Sequence, residues 1–237
     1  MQIQISIFII NKKRYSDFLC NTSAIESCAI GLISIWTRSI IVFLDSVGII
    51  LRKNELLPHK LVILDKIHGK IECVSTAPDL STGALITYNI RKQTCVNFIA
   101  DSTLIYLPLS LAQHDMLFFH HVLELIYYFT YVGNNSNEVF DLLAFLYSAE
   151  HAAMTIQAKK FFLLKLLTSM GSLPEINEIR TALVTQLTTI TIQQLNHVII
   201  NTAHEKELDR WLWCCVWQHP YVNEFKTVHF LSENRAL

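Results

Sequence analysis

No Gly-rich phosphate loop occurs anywhere in the 237 residues, and no Ser/His/Asp or Cys/His set falls in a nucleophile motif. Those absences leave no residue pattern for nucleotide hydrolysis or covalent catalysis. The six cysteines, Cys20, Cys28, Cys73, Cys95, Cys214 and Cys215, include no Cys-x-x-Cys pair, which argues against a structural zinc ribbon. They read as reduced thiols of a cytoplasmic protein. Charge is scarce at 16% of residues and sums to −1, so there is no general electrostatic pull on nucleic acid. No cleavable signal peptide is evident, because the basic run Lys12-Lys13-Arg14 follows the first apolar run instead of preceding it.

Apolar residues are abundant, 51% of the chain with a mean hydropathy of +0.34. That balance calls for large buried surfaces, an obligate partner or a membrane segment, in one large domain or two small ones. The longest apolar run is Ala29–Leu51, long enough for a bilayer span at about 20 residues. Arg38 and Asp45 lie inside it, each costing roughly 2.5–3.5 kcal/mol near a bilayer centre. Buried strands or an extension are therefore favoured over a span. Residues 1–47 are read as an N-terminal extension of uncertain order. No methionine stands between Met1 and Met116, and the reading leans toward a start at a non-standard codon near Leu44 or Val47.

Residues 48–107 carry five short β-rich runs with turn residues between them, at Gly48–Arg52, Leu61–Leu64, Lys70–Val74, Ala84–Ile90 and Thr94–Ile99. Arg91-Lys92-Gln93 reads as a basic turn. A small OB-fold-like barrel is the expectation. This segment is mildly basic, with seven Lys/Arg against five Asp/Glu, whereas residues 108–237 are acidic, with eight against twelve.

From Pro108 the apolar period changes to three and four, which predicts a helical bundle over 108–237. Helices are expected at about 109–131 (with Met116 inward), from the Asn135 cap to about 149, and at 155–170, 173–187, 191–201 and 205–218. Gly133 and Gly171 end the first and third, and Asn135 with Glu138 reads as a capping box for the second. The overall fold class is α+β. Trp211, Trp213 and Trp217 in the last helix read as core or a subunit contact, not a ligand cage.

The barrel's cations are Arg52, Lys53, Lys60, Lys66, Lys70, Arg91 and Lys92. On an OB-fold, some of them would flank a strand face that follows a phosphate backbone, with Tyr88 and Phe98 as base-stacking rings. The plain alternative is solvated lysines and two core aromatics. Lys159, Lys160 and Lys165, on the solvated side of the third helix, suit an acidic partner, with ordinary surface charge as the alternative. His114, His120, His121, Glu124 and His151 invite a metal, but no helical zinc motif is complete and no third ligand is evident. The reading has no cofactor and no metal.

Several phrases, taken in order, resemble the RecO family of recombination mediators. They are GIILR at Gly48–Arg52, LVILDKIHGKIECV at Leu61–Val74, LITYNIRKQTCVNFIADSTLI at Leu85–Ile105 and HHVLELIYYF at His120–Phe129. KKFFLLKLLTSMGSLPE at Lys159–Glu175 is similar to the family's helix ending in Leu-Gly-x-x-Pro, and FKTVHFL at Phe225–Leu231 to its closing helix. The resemblance runs from about Val47 to Leu231.

It implies a non-enzymatic protein of DNA repair and recombination that binds and anneals single- and double-stranded DNA through the barrel. It also implies a RecR-like partner, docking of the acidic tail of single-strand-binding protein on the helices, and loading of the recombinase at gaps. Two departures stand out. The loop Ser75–Gly83, basic in many members, has no Lys or Arg here, and the four-cysteine zinc set of some members is absent. Since phosphate neutralisation supplies most non-specific affinity, weak DNA binding with steep salt dependence is expected. The competing readings are a helical interaction scaffold that has lost DNA binding, and a membrane-anchored protein using residues 29–51.

Overall fold

The computed structural model describes residues 46–172 and 202–227, with breaks at 55, 58, 78–79, 94–95, 135–136 and 148–153, and the isolated residues 189 and 194. The described residues belong to one compact unit. Most of the long apolar run, the expected helices at 173–187 and 191–201, and His151 lie outside them.

Five strands follow one another: β1 (Ser46–Lys53), β2 (Lys60–Asp65), β3 (Gly69–Ser75), β4 (Leu85–Gln93) and β5 (Val96–Tyr106). They close into a barrel in the order β1-β2-β3-β5-β4, with β1 returning to β4. All pairings are antiparallel except β3 with β5. Each expected β-rich run is a strand, but Arg91-Lys92-Gln93 is not a turn. It completes β4 and pairs with the start of β5.

The period-two alternation of the strands separates two cores. Ile50, Leu61, Ile63, Ile71, Cys73, Ile86 and Ile99 fill the barrel interior. Their neighbours Ile49, Leu51 and Leu64 point outward into the core formed by the helices. The end of the apolar run, Ser46–Leu51, is thus a barrel strand with both faces buried. No helix among the described residues is long and apolar enough to cross a membrane.

Four helices are described: α1 (Leu109–Phe129), α2 (Asn137–Leu146), α3 (Ile156–Ser169) and α4 (Thr202–Trp217). Phe118, Val122, Leu125 and Ile126 of α1 meet Phe140 and Leu143 of α2, Phe161, Phe162 and Leu166 of α3, and Leu208, Leu212 and Cys215 of α4 in one apolar cluster. Asp115 breaks the helical backbone of α1 (φ −155°, ψ 65°) and its carboxylate accepts the Phe118 N–H, so the longer segment begins afresh there. Met116, expected inward from its spacing, stands at that new start and is 58% exposed. Among the described cysteines, Cys73, Cys214 and Cys215 are free thiols.

Candidate nucleic-acid interface

Cross-strand pairing aligns one row of side chains on the barrel's outer face. Lys60 pairs with Val74, Val74 with Phe98, and Phe98 with Arg91. Paired residues share a face, and the next residues in sequence, Leu61, Cys73, Ile99 and Ile90, turn to the interior cluster. The row therefore presents cation, aliphatic, aromatic and cation across β2, β3, β5 and β4. At about 4.8 Å per strand it spans roughly 14 Å. Lys60 and Arg91 are exposed at its ends and Val74 and Phe98 half-buried between them. Val74 was not a sequence candidate; only the parallel β3–β5 pairing puts it beside Phe98.

Acidic groups temper this surface. Arg91 approaches Asp101 at 3.8 Å in an exposed pair, and Glu72 is exposed on β3 two residues before Val74. An exposed ion pair is worth little and yields readily to a phosphate. Lys92 pairs with Asn97, one step along from Arg91, and so falls on the opposite face of the ribbon. Lys53 is in register with the interior Leu61 and is half-buried.

The remaining barrel candidates are placed elsewhere. Tyr88 is wholly buried inside the barrel, where its hydroxyl donates to Asp65 Oδ2 at 2.6 Å, and it presents no ring to a base. Burial, then the bond to Asp65, holds that phenol neutral far above its usual range. Asp65 also accepts from the backbone N–H groups of Ile67 and His68, which fixes the β2–β3 turn.

Three cations reach toward the helices, Lys70 from a buried position and Arg52 and Lys66 from exposed ones. Lys70 is buried, and its ammonium donates to the carbonyls of Tyr127 and Thr130 at the end of α1. Desolvation lowers its pKa. The Arg52 guanidinium lies 4.9 Å from the centre of the Tyr127 ring and reaches the Tyr128 hydroxyl. The Lys66 ammonium is 5.9 Å from the Phe140 ring of α2. These residues join barrel to helices, a role that composition alone does not separate from phosphate binding.

The lysines expected to meet an acidic partner are also drawn inward. Lys160 is 7% exposed and is bonded to Glu205 (2.7 Å) and Asp209 of α4. Lys159 pairs with Asp115 of α1 and stands 5.7 Å from the Phe118 ring. Lys165 is half-buried, and desolvation lowers its pKa, with Glu138 opposing.

Of the metal candidates, His121 and Glu124 hold the chain's later segment. Glu124 accepts from the backbone N–H groups of Lys226 and Thr227, each at 2.9 Å, and buried His121 contacts Thr227 Oγ1 at 2.9 Å. The neutral loop after β3 is anchored too: the Tyr147 hydroxyl donates to the Gly83 carbonyl at 2.7 Å. Gly83 has φ +82°, and a Cβ there would lie 2.7 Å from the Phe119 ring. Against protein-family models and curated proteins, the chain finds no match.

Proposed function

We propose that this protein is a non-enzymatic DNA-binding mediator of the RecO type, whose barrel is of the OB kind and takes single-stranded DNA on its outer β2-β3-β5-β4 face. The observation that carries the reading is the row Lys60–Val74–Phe98–Arg91. It sets an aromatic ring between two cations on a curved sheet, which matches the chemistry of a base stacked between phosphates. The closed five-stranded barrel is compatible with an OB-fold. Strand annealing, a RecR-like partner, the tail of single-strand-binding protein and recombinase loading belong to the same proposal and rest on the sequence resemblance.

Binding of labelled oligo-dT, titrated across salt concentrations, tests it. Lys60→Glu with Arg91→Glu removes two phosphate contacts, and the log–log salt slope should flatten by about 1.4. Phe98→Ala should weaken binding about 5-fold or more. Unchanged affinity and slope in both variants would reject the barrel face as the site.

A second reading, a scaffold that has lost DNA binding, is favoured by one observation. The Gly83 end of the β3–β4 loop is bonded to Tyr147, just after α2, lies close against Phe119 of α1, and adds no cation to the barrel surface. On that reading the full chain gives no salt-dependent oligonucleotide binding at any strength.

A further inference from the structure

Helix α4 carries its aromatic residues in an unexpected place. Leu208, Trp211, Leu212, Cys215 and Val216 are buried and define its inner side. Lys206, Arg210, Trp213 and Trp217 follow one another at steps of four, three and four, a single stripe at helical spacing. At 100° per residue that stripe is centred opposite the buried side. Of the three tryptophans read as core or contact, only Trp211 is core. Trp217 is 56% exposed, and Lys206 and Arg210 are exposed too.

The two outer indoles are ordered against each other. Trp213 and Trp217 stack with ring centres 5.2 Å apart and planes 15° from parallel. Trp217 is the more exposed ring of the pair and offers π-surface to solvent for another flat ring. Lys206 and Arg210 continue the stripe toward the helix start. No ion pair to either appears among the described residues, in contrast to Lys159 and Lys160, which are neutralised by Asp115, Glu205 and Asp209. Of the three acids on α4, Glu205 and Asp209 are bonded to Lys160 of α3 and not to the stripe, and Glu207 is half-buried.

We infer that the Lys206–Arg210–Trp213–Trp217 stripe is a second binding site for single-stranded nucleic acid, with a base stacked on Trp217 and the adjoining phosphates at Arg210 and Lys206. Stacking on an indole tolerates any base, because every base has a π-face, and the cations supply the salt-dependent part of affinity. A single strand fits better than an acidic peptide. The stripe lies on the side of α4 opposite its buried residues, and a peptide's apolar anchors need a groove, whereas a base needs only a flat ring. The site is separate from the barrel face and does not rest on it.

Intrinsic tryptophan fluorescence of the full chain tests the inference, because a stacked base quenches indole emission. Titration with oligo-dT at low salt should quench the wild type. Trp217→Ala should lose most of the quench and weaken binding about 5- to 150-fold, while Trp217→Phe keeps most of the affinity. Lys206→Glu with Arg210→Glu should flatten the salt slope by about 1.4. Far-UV circular dichroism of each variant should match the wild type, since the substituted side chains face solvent.

Repeating the set in a Lys60→Glu/Arg91→Glu background separates the two surfaces. Loss with Trp217→Ala but not with the barrel reversal supports the α4 site and rejects the barrel reading. Loss with the barrel reversal alone does the opposite. Additive losses support both, and no oligonucleotide binding by the wild type overturns both. Quenching by an acidic aromatic peptide but not by oligo-dT overturns the nucleic-acid site in favour of a protein partner.

Discussion

At the scale of single residues, the barrel interior is held by polar pairs that look like surface chemistry in the sequence. Tyr88→Phe removes the donor to buried Asp65 and should cost about 1–3 kcal/mol in urea unfolding, with no change in oligonucleotide affinity. A fall in affinity at full stability would instead return Tyr88 to the binding surface. Gly48 is equally constrained: a Cβ there would meet Ile63 Cγ2 at 2.5 Å and the Tyr88 ring at 3.0 Å. His121 gives a pH signature. Burial lowers its pKa to about 3, below the ordinary value near 6.5. The unfolded chain therefore binds a proton between those values that the folded one refuses. Its contribution is favourable above about pH 6.5 and is lost progressively as pH falls toward 3, with a slope approaching 1.4 kcal/mol per pH unit. His121→Gln should flatten that part of the stability–pH curve relative to wild type; parallel curves would show that His121 does not titrate this way.

At the scale of elements, helix ends and helix pairs account for the lysines that the sequence offered to partners. Lys70 satisfies carbonyls at the end of α1 that have no partner within the helix. Lys70→Met should lower stability by about 1–3 kcal/mol and leave the salt slope of DNA binding unchanged, the reverse of Lys60→Glu. Lys160 ties α3 to α4 through two carboxylates that are themselves about a quarter exposed. Lys160→Ala should cost about 1–3 kcal/mol, less than a fully buried pair because solvent screens the carboxylates left behind. Neutralising those carboxylates with Glu205→Gln and Asp209→Asn should restore part of the loss. Additive losses would show that the pairing contributes nothing.

At the scale of the whole molecule, barrel and helices share a core through Ile49, Leu51 and Leu64. Amide exchange in β2 and α3 should therefore reach the same limiting protection, as one cooperative unit. Markedly weaker protection in β2 would mean that the barrel opens independently.

What the sequence determined by itself follows from local periodicity. The short β-rich run Leu61–Leu64 with its flanking turn signals and the three-to-four spacing in Phe118–Ile126 each depend on near neighbours in the chain, and a strand and a helix formed there. The site was less legible. Lys60 and Lys70 are both cations in strands of one small barrel, yet one faces water and the other caps α1. Register and the docking of α1 decide between them, and both depend on residues far away in the chain. Tyr88 and Phe98 diverge for the same reason, one on the inner face of the barrel and one on the outer. Only the tertiary structure brings Lys60, Val74, Phe98 and Arg91 into one row, because three strand pairings must be closed before those residues meet.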